Sequence, residues 1–380
     1  MRLRRLARWY TLFLIIPTGA ALCALGGDAI LTESAKVKPY AVVFRDAKEA
    51  RAARRKSDRL IIFLGDSSVA QPPWAEKGTP RTPALLESEL SRSHPQLGTV
   101  SVLDWSFDGA RFFHYFCLLF HALEYEPDLV IIPINWRNLG PSSWEQDPIY
   151  AFRELSRLVP LSERDRPASR RLFARENISG RAHLMHIARH PLLYLEGLRV
   201  WSRDRLGIRQ TPDLENLQLP SVAEFMAGFS DRKLLEFYPP EISPQNPQVD
   251  TLRALAQAYA ESGLRTLFYI TPIHMDELRS RKPFDEAAFR TSTQMVAAAV
   301  SSEGGGCVDV SGLLEESLFI DCFEHYSPRG NLALARALAP EAVRLVSAPR
   351  PQRMPERPPA QTHAPIATAP ADEPAQLLTN

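Results

Sequence analysis

Five short apolar runs, each followed by a helical pattern, constrain the fold of this chain more than any other feature. The runs lie at 60–64, 99–103, 129–134, 266–270 and 308–310. They have strand length and are built largely from Val, Ile, Leu and Phe. The helical patterns lie at 83–93, 110–124, 249–262, 285–301 and 331–346. Parallel neighbours need a long crossover, usually a helix, so strand–helix alternation implies a parallel sheet covered on both faces. The expectation is an α/β protein, a three-layer flavodoxin-like sandwich with a five-stranded parallel sheet and a helical insertion. Such sheets bind ligands at the carboxyl ends of their strands. The residues just after each strand therefore carry the functional reading.

The alternation is interrupted once. From 141 to 248 strand signals are sparse and helical patterns replace them, at 150–159 and 187–201 for example. This block is too long for a loop and reads as a helical insertion over the sheet end. It divides the core domain into a first part, 55–140, and a second part, 249–347. Residues 151–200 hold ten arginines and five carboxylates. A solvated basic face accounts for that bias; a basic lid toward an anionic polymer or lipid is the sharper alternative.

The two ends read differently from the middle. Residues 1–8 carry four arginines, and 9–27 carry no charge. The uncharged run is long enough to cross a bilayer, and the arginines before it place its N-terminus in the cytoplasm. Residues 1–30 are therefore expected to be a transmembrane anchor, or a signal peptide cut near the small-residue site at Ala24-Leu25-Gly26. The chain is then membrane-anchored and extracytoplasmic, periplasmic or at the cell surface, or secreted if the segment is cleaved. Residues 348–380 are rich in proline and alanine, without apolar periodicity, and read as a disordered tail.

Several function classes are excluded or disfavoured. A net charge of +1 gives no general reason to bind nucleic acid. The aromatic run at 112–120 has the pattern of helix core, not of a base-stacking platform. Four cysteines occur, Cys23, Cys117, Cys307 and Cys322. They set no disulfide framework, although Cys307 and Cys322 would pair if their strand ends met. His183, His186 and His190 share a helical face, but no carboxylate or cysteine joins them at ligand spacing, so no metal site and no cofactor are expected.

The strand ends collect chemistry-bearing residues. The first strand runs into Gly65-Asp66-Ser67, the second leads to Gly109, and the third ends at Asn135, with Arg137 and Asn138 close behind. Strand four leads to His274. Asp321 and His325 precede the last helix. A serine hydroxyl becomes a nucleophile when a base takes its proton, and histidine suits that task near neutral pH. A carboxylate on the other ring nitrogen fixes the tautomer. Preorganised N–H donors then stabilise the tetrahedral oxyanion, one donor being worth roughly 3 kcal/mol of barrier. The bland alternatives are a turn or helix-cap role for Ser67, a structural role for Asp66, and a solvent-facing loop for His325. His274 is a second candidate base, more naturally a rim residue.

These blocks resemble the SGNH (GDSL) hydrolase superfamily over about 58–140 and 250–347. Gly65-Asp66-Ser67 after a strand matches the first block, and Trp105-Ser106-Phe107-Asp108-Gly109 looks like the second. His325 followed by Tyr-Ser-Pro-Arg-Gly330-Asn331 looks like the last. The resemblance implies Ser67, His325 and Asp321 as catalytic residues and the Ser67 N–H, Gly109 N–H and Asn135 as oxyanion donors. Two departures stand out. The third block lacks the usual glycine and aspartate, reading Pro133-Ile134-Asn135-Trp136, which leaves Asn138 in reserve for the oxyanion. Asp321 and His325 are four apart where three is usual, which leaves a Ser–His dyad open. Arg137 and Asn138 are possible substrate-binding residues, Arg137 either gripping a substrate anion or forming a structural ion pair.

The resemblance implies an esterase acting on acyl esters, on cell-envelope glycan or lipid O-acyl groups. An O-acyltransferase of an exported polysaccharide using the same site is the alternative, and a non-catalytic glycan-binding or docking protein is a further one. The topology is also similar to anchored members that serve envelope acyl transfer, which implies a membrane acyltransferase as a partner.

Overall fold

The computed structural model describes residues 50–70, 80–107, 109–140, 159, 166, 168–170, 172, 230–280, 284–321 and 323–349. The N-terminal segment 1–30, the tail beyond 349 and nearly all of 141–229 lie outside the described residues, as do His183, His186, His190, Cys23 and Cys322.

Five strands are present: β1 (Arg59–Gly65), β2 (Val100–Ser106), β3 (Leu129–Ile134), β4 (Thr266–Ile270) and β5 (Gly306–Asp309). All neighbours are parallel, in the order β2-β1-β3-β4-β5. This is the flavodoxin-like order expected from the alternation. The chain reverses its direction of travel across the sheet between β1 and β3, and that crevice is where such sheets take ligands. Every residue of β3 and β4 is buried, whereas β2 and β5 at the edges are only partly so. The uninterrupted apolar runs in the sequence are thus the interior strands.

Side-chain alternation divides the core into two layers. Ile61, Phe63, Leu129, Ile131, Leu267 and Tyr269 point to one face. Helices α2 (Thr82–Ser93) and α8 (Pro328–Ser347) cover it. Leu60, Ile62, Leu64, Val130, Ile132 and Phe268 point to the other. There α3 (Phe112–Leu123), α5 (Pro247–Glu261) and α7 (Glu286–Ser301) pack. Ten of the twelve residues of α3 are buried. A helix apolar on every side must be covered on every side. The isolated described residues of the 141–248 block that join this layer are Val159, Ala168 and Leu172, all buried.

Pro133 sits inside a central strand, where a missing N–H would normally break the ladder. The Val130 N–H donates to the Arg265 carbonyl, on the β4 side, so residues 130, 132 and 134 face β4 and 129, 131 and 133 face β1. The β1–β3 pairing ends at Phe63 and Ile131. Proline therefore falls one step past the last β1–β3 pair, at the crevice, and costs no ladder bond.

The remaining boundaries differ slightly from expectation. Helix α8 begins at Pro328 and not at 331, because Ser327 caps it by accepting the Gly330 N–H and proline suits the first helical turn. Strand β5 begins two residues early, at Gly306, since its pairing with β4 starts there. Cys307 carries a free thiol, which burial pushes up to about 12.

Candidate functional site

The serine turn is shaped by a steric demand. A methyl on Gly65 would lie 2.5 Å from Val69 Cβ and 2.8 Å from Ser106 Cβ. Only glycine lets β1 end against both β2 and the helical turn α1 (Ser67–Ala70). Asp66, fully buried, organises that turn. Its Oδ1 accepts from the Ser68 N–H at 2.9 Å and the Ser68 hydroxyl at 2.7 Å. Its carbonyl accepts from the Val69 and Ala70 N–H groups. Asp66 is therefore the structural carboxylate of the bland reading. Its other oxygen, Oδ2, accepts from the Asn135 amide at 2.7 Å, across the β1–β3 crevice.

Asn135 is buried at the end of β3. Its side-chain oxygen accepts the Arg137 N–H at 3.0 Å and so caps the short 3₁₀ turn Trp136–Leu139. One of its two amide N–H groups is committed to Asp66, and the same side chain neighbours Glu324. Gly109 lies in an exposed turn beyond β2 with φ +74°, a left-handed conformation that glycine adopts freely. Among the described residues neither the Ser67 N–H nor the Gly109 N–H donates a hydrogen bond.

The histidine loop resolves the unusual spacing. Asp321 Oδ2 is hydrogen-bonded to His325 Nδ1, and its Oδ1 accepts from the Phe323 N–H at 3.0 Å and the His325 N–H at 3.3 Å. The fourth residue of the spacing is absorbed by this turn, wrapped round one carboxylate, so the ring is oriented by Asp321. Burial alone would push the imidazole pKa down, but the hydrogen bond and charge of Asp321 outweigh it and leave it raised. The loop is pinned on both sides. Ile320 N–H donates to the His325 carbonyl at 2.9 Å and Ser327 N–H to the Leu318 carbonyl at 2.8 Å. Asn331 donates to the Tyr326 carbonyl at 3.2 Å and accepts from the Thr82 hydroxyl at 2.8 Å. Gly330 is glycine because a methyl there would sit 2.4 Å from the Leu318 carbonyl oxygen. The motif Ser-Pro-Arg-Gly-Asn is thus a cap, a helix start, a close approach and a lock.

The two halves meet at the crevice. Glu324 feels the Asp66 charge and has the Asn135 side chain as a neighbour, while the Tyr326 hydroxyl has the Ser68 hydroxyl beside it. Ser67 and His325 are both nearly buried, at 6% exposure each. No hydrogen bond joins the Ser67 hydroxyl to the His325 ring among the described residues. Such bonds are often long until substrate is bound. His274 is occupied elsewhere: its Nδ1 accepts the Glu277 N–H at 3.1 Å, capping α6 (Met275–Ser280), and its ring lies 4.9 Å from that of Phe319.

Arg137 forms the structural pair. Its guanidinium lies 3.3 Å from Glu324, a carboxylate that is wholly buried, while 31% of the arginine side chain remains exposed. Asn138 is buried behind it. Glu324 was not legible as a site residue. Its hydroxyl partner Tyr238 is 86 residues away, at 2.9 Å. An Asp-x-x-Glu-His run gives no sign that its glutamate turns inward. Burial pushes the Glu324 carboxyl above the usual range; Arg137 pulls it back, Asp66 pushes it up, and His325 and Asn135 pull it down.

Among the described residues there is no group of three or more His, Cys, Asp or Glu side chains that could hold a metal ion, and no helix is long and apolar enough to cross a membrane. No protein-family model matches the chain, and no curated protein matches it. Among solved structures it is similar to LAE5, an alpha/beta hydrolase enzyme from the metagenome of Lake Arreo, Spain. The identity is 11% and the TM-score 0.38, over 78% of this chain and 100% of that one.

Proposed function

We propose that this chain is a serine hydrolase of the SGNH type acting on acyl esters. Ser67 attacks the ester carbonyl while His325 takes its proton, and Asp321 stabilises the imidazolium that forms. The Ser67 and Gly109 N–H groups and the second Asn135 N–H receive the oxyanion. His325 then returns the proton to the leaving alcohol, and a second nucleophile releases the acyl group from Ser67. The observation that carries the reading is the buried Asp321–His325 pair in the loop before α8, which supports the base role, beside the nearly buried Ser67 in the turn that ends β1.

Water as the second nucleophile makes the protein an esterase; a sugar hydroxyl makes it an O-acyltransferase of an exported polysaccharide. In this reading residues 1–30 anchor it on the extracytoplasmic side of a membrane, where envelope glycan or lipid O-acyl groups are its substrates and a membrane acyltransferase is a fitting partner. The test is hydrolysis of p-nitrophenyl acetate by the chain lacking residues 1–30, with and without a glycan acceptor. A burst of nitrophenol that Ser67→Ala abolishes is expected. A folded protein with no burst would overturn both the esterase and the transferase. The Asp66–Asn135 bond, which commits one of the expected oxyanion donors to a structural carboxylate, favours as a second reading a binding or docking protein built on the same scaffold. That reading requires Ser67→Ala to leave glycan acylation in cells unchanged.

A further inference from the structure

The most informative group that the mechanism leaves unused is Glu324. It is 0% exposed, adjacent in sequence to the proposed base, and held by two elements far away in the chain. The Tyr238 hydroxyl donates to its Oε2 at 2.9 Å, and the Arg137 guanidinium lies 3.3 Å from its Oε1. Tyr238 directly follows α4 (Asp231–Phe237), where the chain returns from the 141–248 block. Its ring also stacks on Phe323, at 5.9 Å. Arg137 belongs to the turn after β3, and the next anchor is in the same place: Trp136 donates its indole N–H to the Pro239 carbonyl at 2.9 Å. One carboxylate therefore joins the β3 end, the returning limb and the histidine loop.

We propose that Glu324 is a positioning residue that fixes the His325 loop against β3 and the returning limb, and serves as a second negative charge for the imidazolium beside Asp321. The inference deepens the serine-hydrolase reading and rests on it for the role of His325. Physically, a buried carboxylate persists only if its lone pairs find donors and its charge finds a partner. Tyr238 supplies a donor to Oε2 and Arg137 the charge partner at Oε1, which accepts no hydrogen bond among the described residues, and the exposed part of Arg137 leaves the cation partly solvated. The groups facing Glu324 are Arg137, Asp66, Asn135, His325, Tyr238, and the buried phenols Tyr115 and Tyr326. Those facing His325 are Asp321 and Glu324, which favour its charged form, and Arg137, which opposes it. A loop tied this way has its base aimed by residues of the covering limb, so the limb and the chemistry are mechanically joined.

The experiment measures the histidine and its loop directly, without needing turnover. In the full chain, His325 is titrated by NMR in the wild type and in Glu324→Gln, which keeps the shape and the Tyr238 bond but removes the charge. The midpoint is expected to fall by at least about 0.3 pH unit, a twofold change in proton affinity. An unchanged or raised midpoint overturns the proposal. Should Glu324→Gln fail to fold, Tyr238→Phe tests the positioning half by hydrogen exchange. The Ile320, His325 and Ser327 amides are expected to exchange at least about tenfold faster, the loss of one hydrogen bond to a charged group. Equal exchange refutes the clamp. Hydrolysis of p-nitrophenyl acetate is followed in the same samples. A midpoint that moves in a protein without esterase activity sinks the hydrolase reading and leaves the clamp; an active protein whose midpoint stays put does the reverse.

Discussion

Replacing Gly65 by alanine adds one methyl group at the tightest point of the serine turn. The backbone of Gly65 is not left-handed, so alanine meets no conformational penalty there. The penalty is contact. The new carbon would lie 2.5 Å from Val69 Cβ and 2.8 Å from both Ser106 Cβ and Val69 Cγ2. Carbon pairs rest at about 3.5–4.0 Å, so each overlap is about 1 Å. Val69 Cβ is fixed to the α1 backbone and Ser106 Cβ to β2, and neither clears by a rotamer change. Overpacking of this kind costs roughly 1–3 kcal/mol. At about 2–4 °C per kcal/mol for a domain of this size, Tm should fall by roughly 2–12 °C in a circular-dichroism melt. Because Ser67 lies between the displaced strand end and Val69, esterase activity should fall further than folded fraction alone explains. A melt within a degree of wild type, with full activity, would refute the claim that glycine is there for close approach.

Gly109 presents the opposite case: a methyl there meets no atom within 4 Å, and only its φ of +74° is restrictive. Gly109→Asn, which tolerates that conformation and keeps the N–H, should leave Tm and ester hydrolysis near wild type, whereas Gly109→Val should destabilise by about 1–2 kcal/mol in denaturant titration. Asp321→Asn should lower kcat by roughly three to four orders of magnitude and move the acid limb of the pH–rate profile downward, since the hydrogen bond and charge that offset burial at His325 are then lost. The same pair sets a stability difference. The His325 pKa is raised on folding, so the contribution is complete below the unfolded value of about 6.5 and is lost as pH rises through the folded value. The melting difference between wild type and Asp321→Asn should therefore be larger at pH 5.5 than at pH 8. Gly330→Ala should destabilise the histidine loop, since its methyl would meet the Leu318 carbonyl oxygen at 2.4 Å, and proteolysis of 318–327 should speed up.

The sheet was legible because its interior strands are continuous apolar runs, and the helical patterns between them implied parallel neighbours in a flavodoxin-like arrangement. All five strands appear where the alternation places them, within two or three residues. Pro133 fits a central strand because its missing N–H faces the end of the β1–β3 ladder, a detail of pairing that sequence does not show. The four-residue Asp321–His325 spacing looked doubtful, because sequence does not show that one carboxylate oxygen can accept two backbone N–H groups while the other reaches the ring. Glu324 was out of reach for a different reason. Its inward turn depends on Tyr238 and Arg137, and no local pattern encodes a contact across 86 residues. The double commitment of Asn135, to Asp66 and to the Arg137 N–H, is hidden in the same way.

Covalent labelling of the folded chain by a fluorophosphonate, read by mass spectrometry of the peptides, probes the nucleophile itself. A single adduct on Ser67 is expected, absent in Ser67→Ala and formed far more slowly in His325→Gln. Protein that melts cooperatively yet carries no adduct, or carries it on another serine, would show that the hydroxyl at the end of β1 is not activated by the imidazole of the last loop.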